Sequence, residues 1–120
     1  MENIFRVQLL VLLVLCLSSN DCIAQSTDDL KRAADYAREA EYYQRRASDY
    51  LREADYYLKR AESYEKDVEY YKDKGDLSRA QTQKRNADNA RESYATQMRN
   101  AKRASERAAE YMQRAINALK

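Results

Sequence analysis

Six successive heptads carry a small residue at one position and a tyrosine three residues later. Ala33, Ala40, Ala47, Ala54, Ala61 and Val68 fall seven apart, and so do Tyr36, Tyr43, Tyr50, Tyr57, Tyr64 and Tyr71. A seven-residue period held this long predicts a helix packed against another helix along a narrow seam, and a left-handed supercoil. The segment also repeats at fourteen. ADYAREAEYYQRRA (34–47) runs straight into SDYLREADYYLKRA (48–61), with nine of fourteen aligned positions identical. The longer repeat arises because alternate heptads add a second tyrosine beside the seam, Tyr42, Tyr56 and Tyr70.

Composition closes off the other fold classes. The chain has no proline, histidine or tryptophan and a single glycine, while 35% of its residues are charged. Sheets and loop-rich enzymes need the turn residues that are missing, whereas Ala, Glu, Lys and Arg favour helix. The sole glycine, Gly75, lies in YYKDKGDLSRA and is followed by Asp76. Glycine suits the left-handed residue that closes one helix, and aspartate suits the cap of the next. A first helix is therefore expected over about 28–74, a turn at Gly75–Asp76, and a second helix over about 77–119. Ser26, three residues before Asp29, reads as a capping box for the first.

The second segment keeps the heptad but in a new phase: Ala80, Ala87, Tyr94, Ala101, Ala108 and Ala115 lie seven apart. Ala90, Met98, Ala104, Tyr111, Met112, Ala118 and Leu119 stand beside them. Lengths of about 70 and 65 Å, at 1.5 Å per residue, favour folding back. So does charge. Residues 28–74 hold 11 basic and 13 acidic side chains, and residues 76–120 hold 10 and 5. The expected architecture is all-α, one long antiparallel two-helix hairpin over 25–120, coiled-coil-like. Its tyrosines form the core of the seam and lie over alanine, and the thin interior favours self-association. A bent helix in a parallel dimer is the second architecture. Pairs four apart (Asp28 with Arg32, Lys31 with Asp35, Glu41 with Arg45, Asp55 with Lys59, Glu62 with Lys66) are expected to support the first helix.

Residues 1–24, MENIFRVQLLVLLVLCLSSNDCIA, have the layout of a secretory signal peptide: Arg6, an apolar run over 7–17, and small residues Cys22 and Ala24 before the expected cut. The run is too short to anchor a chain across a bilayer, which takes about 20 residues. A lipoprotein signal would acylate Cys22, but Asp21 occupies a place where such signals carry a small residue. Both cysteines fall in this leader, so the mature chain has no thiol for a disulfide. It has no Asn-x-Ser/Thr sequon either. Removing Arg6, Glu2 and Asp21 leaves 21 basic and 18 acidic residues, a net +3. The expected location is outside the cell, or the periplasm of a bacterium.

The residue types that carry catalysis are missing: no histidine, no cysteine after cleavage, no glycine-rich phosphate loop and no metal-ligand cluster. No enzyme activity, catalytic residue, cofactor or metal is expected. YYKDKGDLSRA, from Tyr70 to Ala80, resembles the stretch leading into a tetratricopeptide repeat. No 34-residue period accompanies it, so no binding residue is carried over. Nucleic acid is not an expected partner, because the basic residues are spread around the second helix. A membrane surface is disfavoured by a seam that is narrow and tyrosine-rich.

What remains is a secreted helical module for structure or interaction, with another copy or an extracellular helical protein as partner. Tyr42, Tyr56 and Tyr70 are either surface rings stacked on Arg46, Arg60 and Lys74, or a second contact surface. Two further roles are compatible with the sequence: a matrix, wall or adhesive component cross-linked through its eleven tyrosines, and a peripheral lipid-binding helix.

Overall fold

The computed structural model describes residues 3–4, 6–11 and 27–120. The leader cleavage site, Cys16, Cys22 and the Ser26 capping box lie outside the described residues. Two long helices dominate: α1, Thr27–Asp73, and α2, Leu77–Ala118. Residues 3–4 and 6–11 are also helical. Among the described residues no helix is long and apolar enough to cross a membrane. The chain divides into two compact units, Met1–Gln44 with Arg107–Lys120, and Arg45–Glu106.

The second unit is a helical hairpin closed by its turn. Gly75 has φ of +75°, the left-handed conformation that costs an L side chain but not glycine. The Asp76 amide donates to the Tyr71 carbonyl at 2.9 Å and the Gly75 amide to the Lys72 carbonyl at 3.0 Å. This pair of bonds satisfies the carbonyls that a helix end leaves open. Asp76 then caps α2: its Oδ1 accepts the Arg79 amide at 3.1 Å, while its backbone carbonyl accepts from Ala80 at 3.1 Å. One residue thus ends one helix and begins the next.

The interior is alanine. In this unit the buried apolar residues are Ala47, Ala54, Ala61, Val68, Ala80, Ala87, Ala90, Ala101 and Ala104, with Ala61 at 0% exposure. Tyr50, Tyr57, Tyr64, Tyr71 and Tyr94 are only half-buried. Beside the buried alanines, the expected seam tyrosines are thus partly covered. A methyl side chain lets two backbones approach closely, whereas rings lie along the flanks, where the Tyr50 and Tyr64 hydroxyls accept from Arg46 and Arg60.

The first unit repeats the pattern with the opening turns of α1 and the closing turns of α2. Ala33, Ala40, Ala108 and Ala115 are buried, while Tyr36 and Tyr43 are half-buried. The last turn of α2 tightens, with the Leu119 amide bonding to the Ile116 carbonyl at 3.1 Å. Residues 6–11 belong to this unit, where Arg6 Nη2 donates to Glu41 Oε1 at 3.2 Å.

Candidate interaction surface

Every tyrosine doublet in α1 adopts one geometry. Tyr42 meets Tyr43 edge-on with ring centroids 5.2 Å apart, Tyr56 meets Tyr57 at 5.3 Å, and Tyr70 meets Tyr71 at 5.2 Å. Neighbouring residues point about 100° apart around a helix, so one ring flanks the seam and the other turns outward. Tyr42, Tyr56 and Tyr70 are accordingly 54%, 53% and 56% exposed. Edge-to-face contact fixes each outward ring against its half-buried partner, presenting a rigid aromatic edge to solvent.

Cations hold several rings. Arg60 lies 5.6 Å from the centroids of both Tyr56 and Tyr64. Its Nη1 donates to the Tyr56 hydroxyl at 2.8 Å and its Nη2 to the Tyr64 hydroxyl at 2.6 Å. These bonds, the one to Tyr64 foremost, raise the Arg60 pKa above its already high ordinary value. Lys74 sits over Tyr70 at 5.6 Å. Arg46 instead lies over Tyr50, at 4.9 Å, and donates to its hydroxyl at 2.7 Å. The expected stacking is thus present at Tyr56 and Tyr70, whereas Arg46 turns to the ring four residues after it. Beside Arg60 a polar cleft of about 270 Å³ opens between the helices, lined by Tyr57, Tyr64, Asn86, Asn89 and Ser93 among others.

In the first unit the rings cross between helices. Tyr111 of α2 stacks on Tyr43 with centroids 5.6 Å apart and planes 9° from parallel, and lies 6.3 Å from Tyr36. Arg107 sits over Tyr43 at 5.8 Å and Arg114 over Tyr111 at 5.1 Å. Tyr42 completes this cluster through its contact with Tyr43.

Ion pairs follow a shorter step than the sequence suggests. Arg32 pairs with Asp29 rather than Asp28, and Arg38 with Asp35 at 2.6 Å in place of Lys31. Arg52 pairs with Asp49 at the same three-residue spacing. A short aspartate reaches a long arginine one turn on as readily as it reaches a residue four away. Asp55 and Lys59 do pair at 2.8 Å, and Asp55 raises the lysine pKa. Glu65 and Arg91 join α1 to α2 in the second unit.

Sequence reasoning missed Tyr64 as the second partner of Arg60, although arginine four residues before a tyrosine recurs as Arg46 with Tyr50. The contacts of Tyr111 and of Glu65 with Arg91 carry no local signal, since they need the helix register. Among the described residues no group of three or more His, Cys, Asp or Glu side chains is placed to hold a metal ion. No family model matches the chain, and neither does any curated protein or solved structure.

Proposed function

We propose that the chain is an exported, non-enzymatic coiled-coil protein that works outside the cell by self-association, as a structural or interaction module. One observation carries this reading. The buried residues of the hairpin are small, twelve alanines and Val68, while Tyr42, Tyr56 and Tyr70 remain more than half exposed. At roughly 25 cal/mol per Å², an alanine interior contributes little per residue, and two-helix folds with such interiors gain by packing against another copy. Tyrosine is suited to that contact, because a rigid ring loses little side-chain entropy on binding and keeps a polar edge for the rim.

Sedimentation equilibrium at micromolar concentration tests the reading. The wild-type chain is expected to sediment as a dimer or larger, and the combined Tyr42→Ser, Tyr56→Ser and Tyr70→Ser variant as a folded monomer. A folded wild-type monomer overturns it.

The same exposure favours a second reading, cross-linking in a matrix, wall or adhesive. Oxidative coupling needs accessible phenols, and the three outward rings are more than half exposed. Dityrosine fluorescence in the native extracellular material separates the two, since self-association alone produces none.

A further inference from the structure

In the second unit, the cleft beside Arg60 is lined unlike the charge-dense surface around it. Arg60 is its one charged side chain, and among the described residues no carboxylate lines it. Tyr57 and Tyr64 supply rings from α1, while Asn86, Asn89 and Ser93 supply two amides and a hydroxyl from α2. The cation has no counter-ion. Arg60 donates to the Tyr56 and Tyr64 hydroxyls, and its pKa is raised by those phenols, with no acid contributing. A guanidinium has five N–H donors, so two are taken and three remain. Glu65, one residue past Tyr64, is committed to Arg91 by two bonds. Across the cleft, the Asn89 and Ser93 side chains make no hydrogen bond to a described residue, and Asn86 has only a long contact of 3.5 Å to Gln83. The space is about 270 Å³, near the lower end of the ~300–1,000 Å³ typical of ligand clefts, which suits one ring-sized molecule.

We propose that this cleft binds an acidic sugar, a pyranose carrying one carboxylate. A single guanidinium with unused donors matches a single carboxylate, which it recognises through paired, charge-assisted hydrogen bonds. A phosphate dianion or a densely sulfated chain calls for more positive charge than one arginine supplies. The amides and the Ser93 hydroxyl each donate and accept, as the hydroxyls of a sugar do. Phenol rings complete the match, because their negative faces attract the C–H edges of a pyranose. In this arrangement Arg60 reads the charge, Asn89 and Ser93 read the hydroxyls, and the Tyr56 and Tyr64 hydroxyls position the guanidinium. The cleft is separate from the outward rings: Tyr56 reaches it only through Arg60, and Tyr70 does not line it. Sugar binding therefore does not depend on self-association.

The test is a titration of the isotope-labelled wild-type chain with sodium glucuronate, glucose and sodium acetate at constant ionic strength. NMR follows the side-chain amide signals of Asn86 and Asn89. Glucuronate is expected to move both signals saturably with a millimolar Kd, and acetate to give no saturable shift. Glucose, which lacks the carboxylate, is expected to bind at least about tenfold more weakly, the loss of one charge-assisted contact. Arg60→Gln and Asn89→Leu, each checked for wild-type helicity by circular dichroism, are expected to weaken glucuronate binding by about tenfold. The two substitutions lie on different helices, so one remains decisive if the other disturbs folding. A glucuronate-terminated disaccharide identifies the source: tighter binding than the monosaccharide assigns a glycan end, and equal binding assigns the free sugar. The proposal is overturned if glucuronate does not saturate, if acetate reproduces its shifts, if glucose binds as well, or if a folded variant binds like wild type. These outcomes are read whatever the assembly state, so failure here leaves self-association standing, and a monomeric chain leaves this site standing.

Discussion

Arg91 grips Glu65 with two donors, its Nε at 2.6 Å from one carboxylate oxygen and its Nη2 at 3.0 Å from the other, joining α2 to α1. A forked contact between helices has a geometric role that a pair within one helix lacks: it favours a single sliding register over its neighbours. An alanine seam needs this help, because its small residues recur with the heptad and a packing slipped by one heptad resembles another.

The first prediction concerns pH. Arg91 holds the Glu65 carboxyl below its ordinary value, which is about 4.3. A carboxylate lowered on folding adds stability that is complete above the unfolded-state value and is lost as pH falls through the folded one. Glu65→Gln is therefore expected to lower the urea midpoint slightly at pH 7, with the gap closing as pH falls below the ordinary carboxylate range. Both side chains are close to half exposed, so about 1 M salt is expected to shrink the gap as well. A gap that persists unchanged into strong acid assigns the loss to something other than this ion pair.

The second concerns the interior. Ala61 is fully buried where the helices pack. Ala61→Leu is expected to cost about 1–3 kcal/mol in chemical denaturation, because the added methylenes force the helices apart. Leucine at exposed Ser63 is expected to leave stability within about 0.5 kcal/mol of wild type. Equal losses at both positions contradict an alanine seam.

How far such features can be read from residues alone depends on their range. The alanine period identifies the buried face because burial repeats with the helix, and Gly75–Asp76 identifies the turn because both conformations are local. The placement of tyrosine cannot be read this way. Whether a ring sits inside a seam or along its flank depends on the distance between helices, which the alanines on both of them set together. The partner of Tyr111 depends on a register of the kind the Glu65–Arg91 contact helps to fix, and no window of sequence contains both ends of that pair. Residues 6–11 fall in the stretch that reads as a secretory leader, and the contact of Arg6 with Glu41 needs the folded first unit.

The third prediction isolates the turn. A side chain at position 75 would meet no atom within 4 Å, so any penalty there comes from backbone conformation alone. Gly75→Ala is expected to cost about 1 kcal/mol, and Gly75→Asn less, since asparagine tolerates the left-handed region better. Thermal unfolding of both variants checks the order. An alanine variant as stable as wild type shows that the turn can relax away from φ of +75°.

The fourth prediction turns on Tyr111, which is the ring through which α2 meets the tyrosines of the first unit. It stacks on Tyr43, leans on Tyr36 and is covered by Arg114. Aromatic pairs contribute about 0.5–1.5 kcal/mol each beyond their buried area, and rings that are only half-buried add modest transfer terms. Tyr111→Ala is expected to cost about 1–2 kcal/mol, with Tyr111→Phe recovering most of it, because stacking rather than the hydroxyl makes these contacts. A double-mutant cycle with Tyr43→Ala is the sharper measurement. Residues in contact couple by about 0.5 kcal/mol or more, whereas Tyr111→Ala combined with Tyr64→Ala, which lies in the other unit, is expected to be additive. Additivity in the Tyr43 cycle too assigns the stability loss to the ring's own burial and leaves the stack without energetic weight.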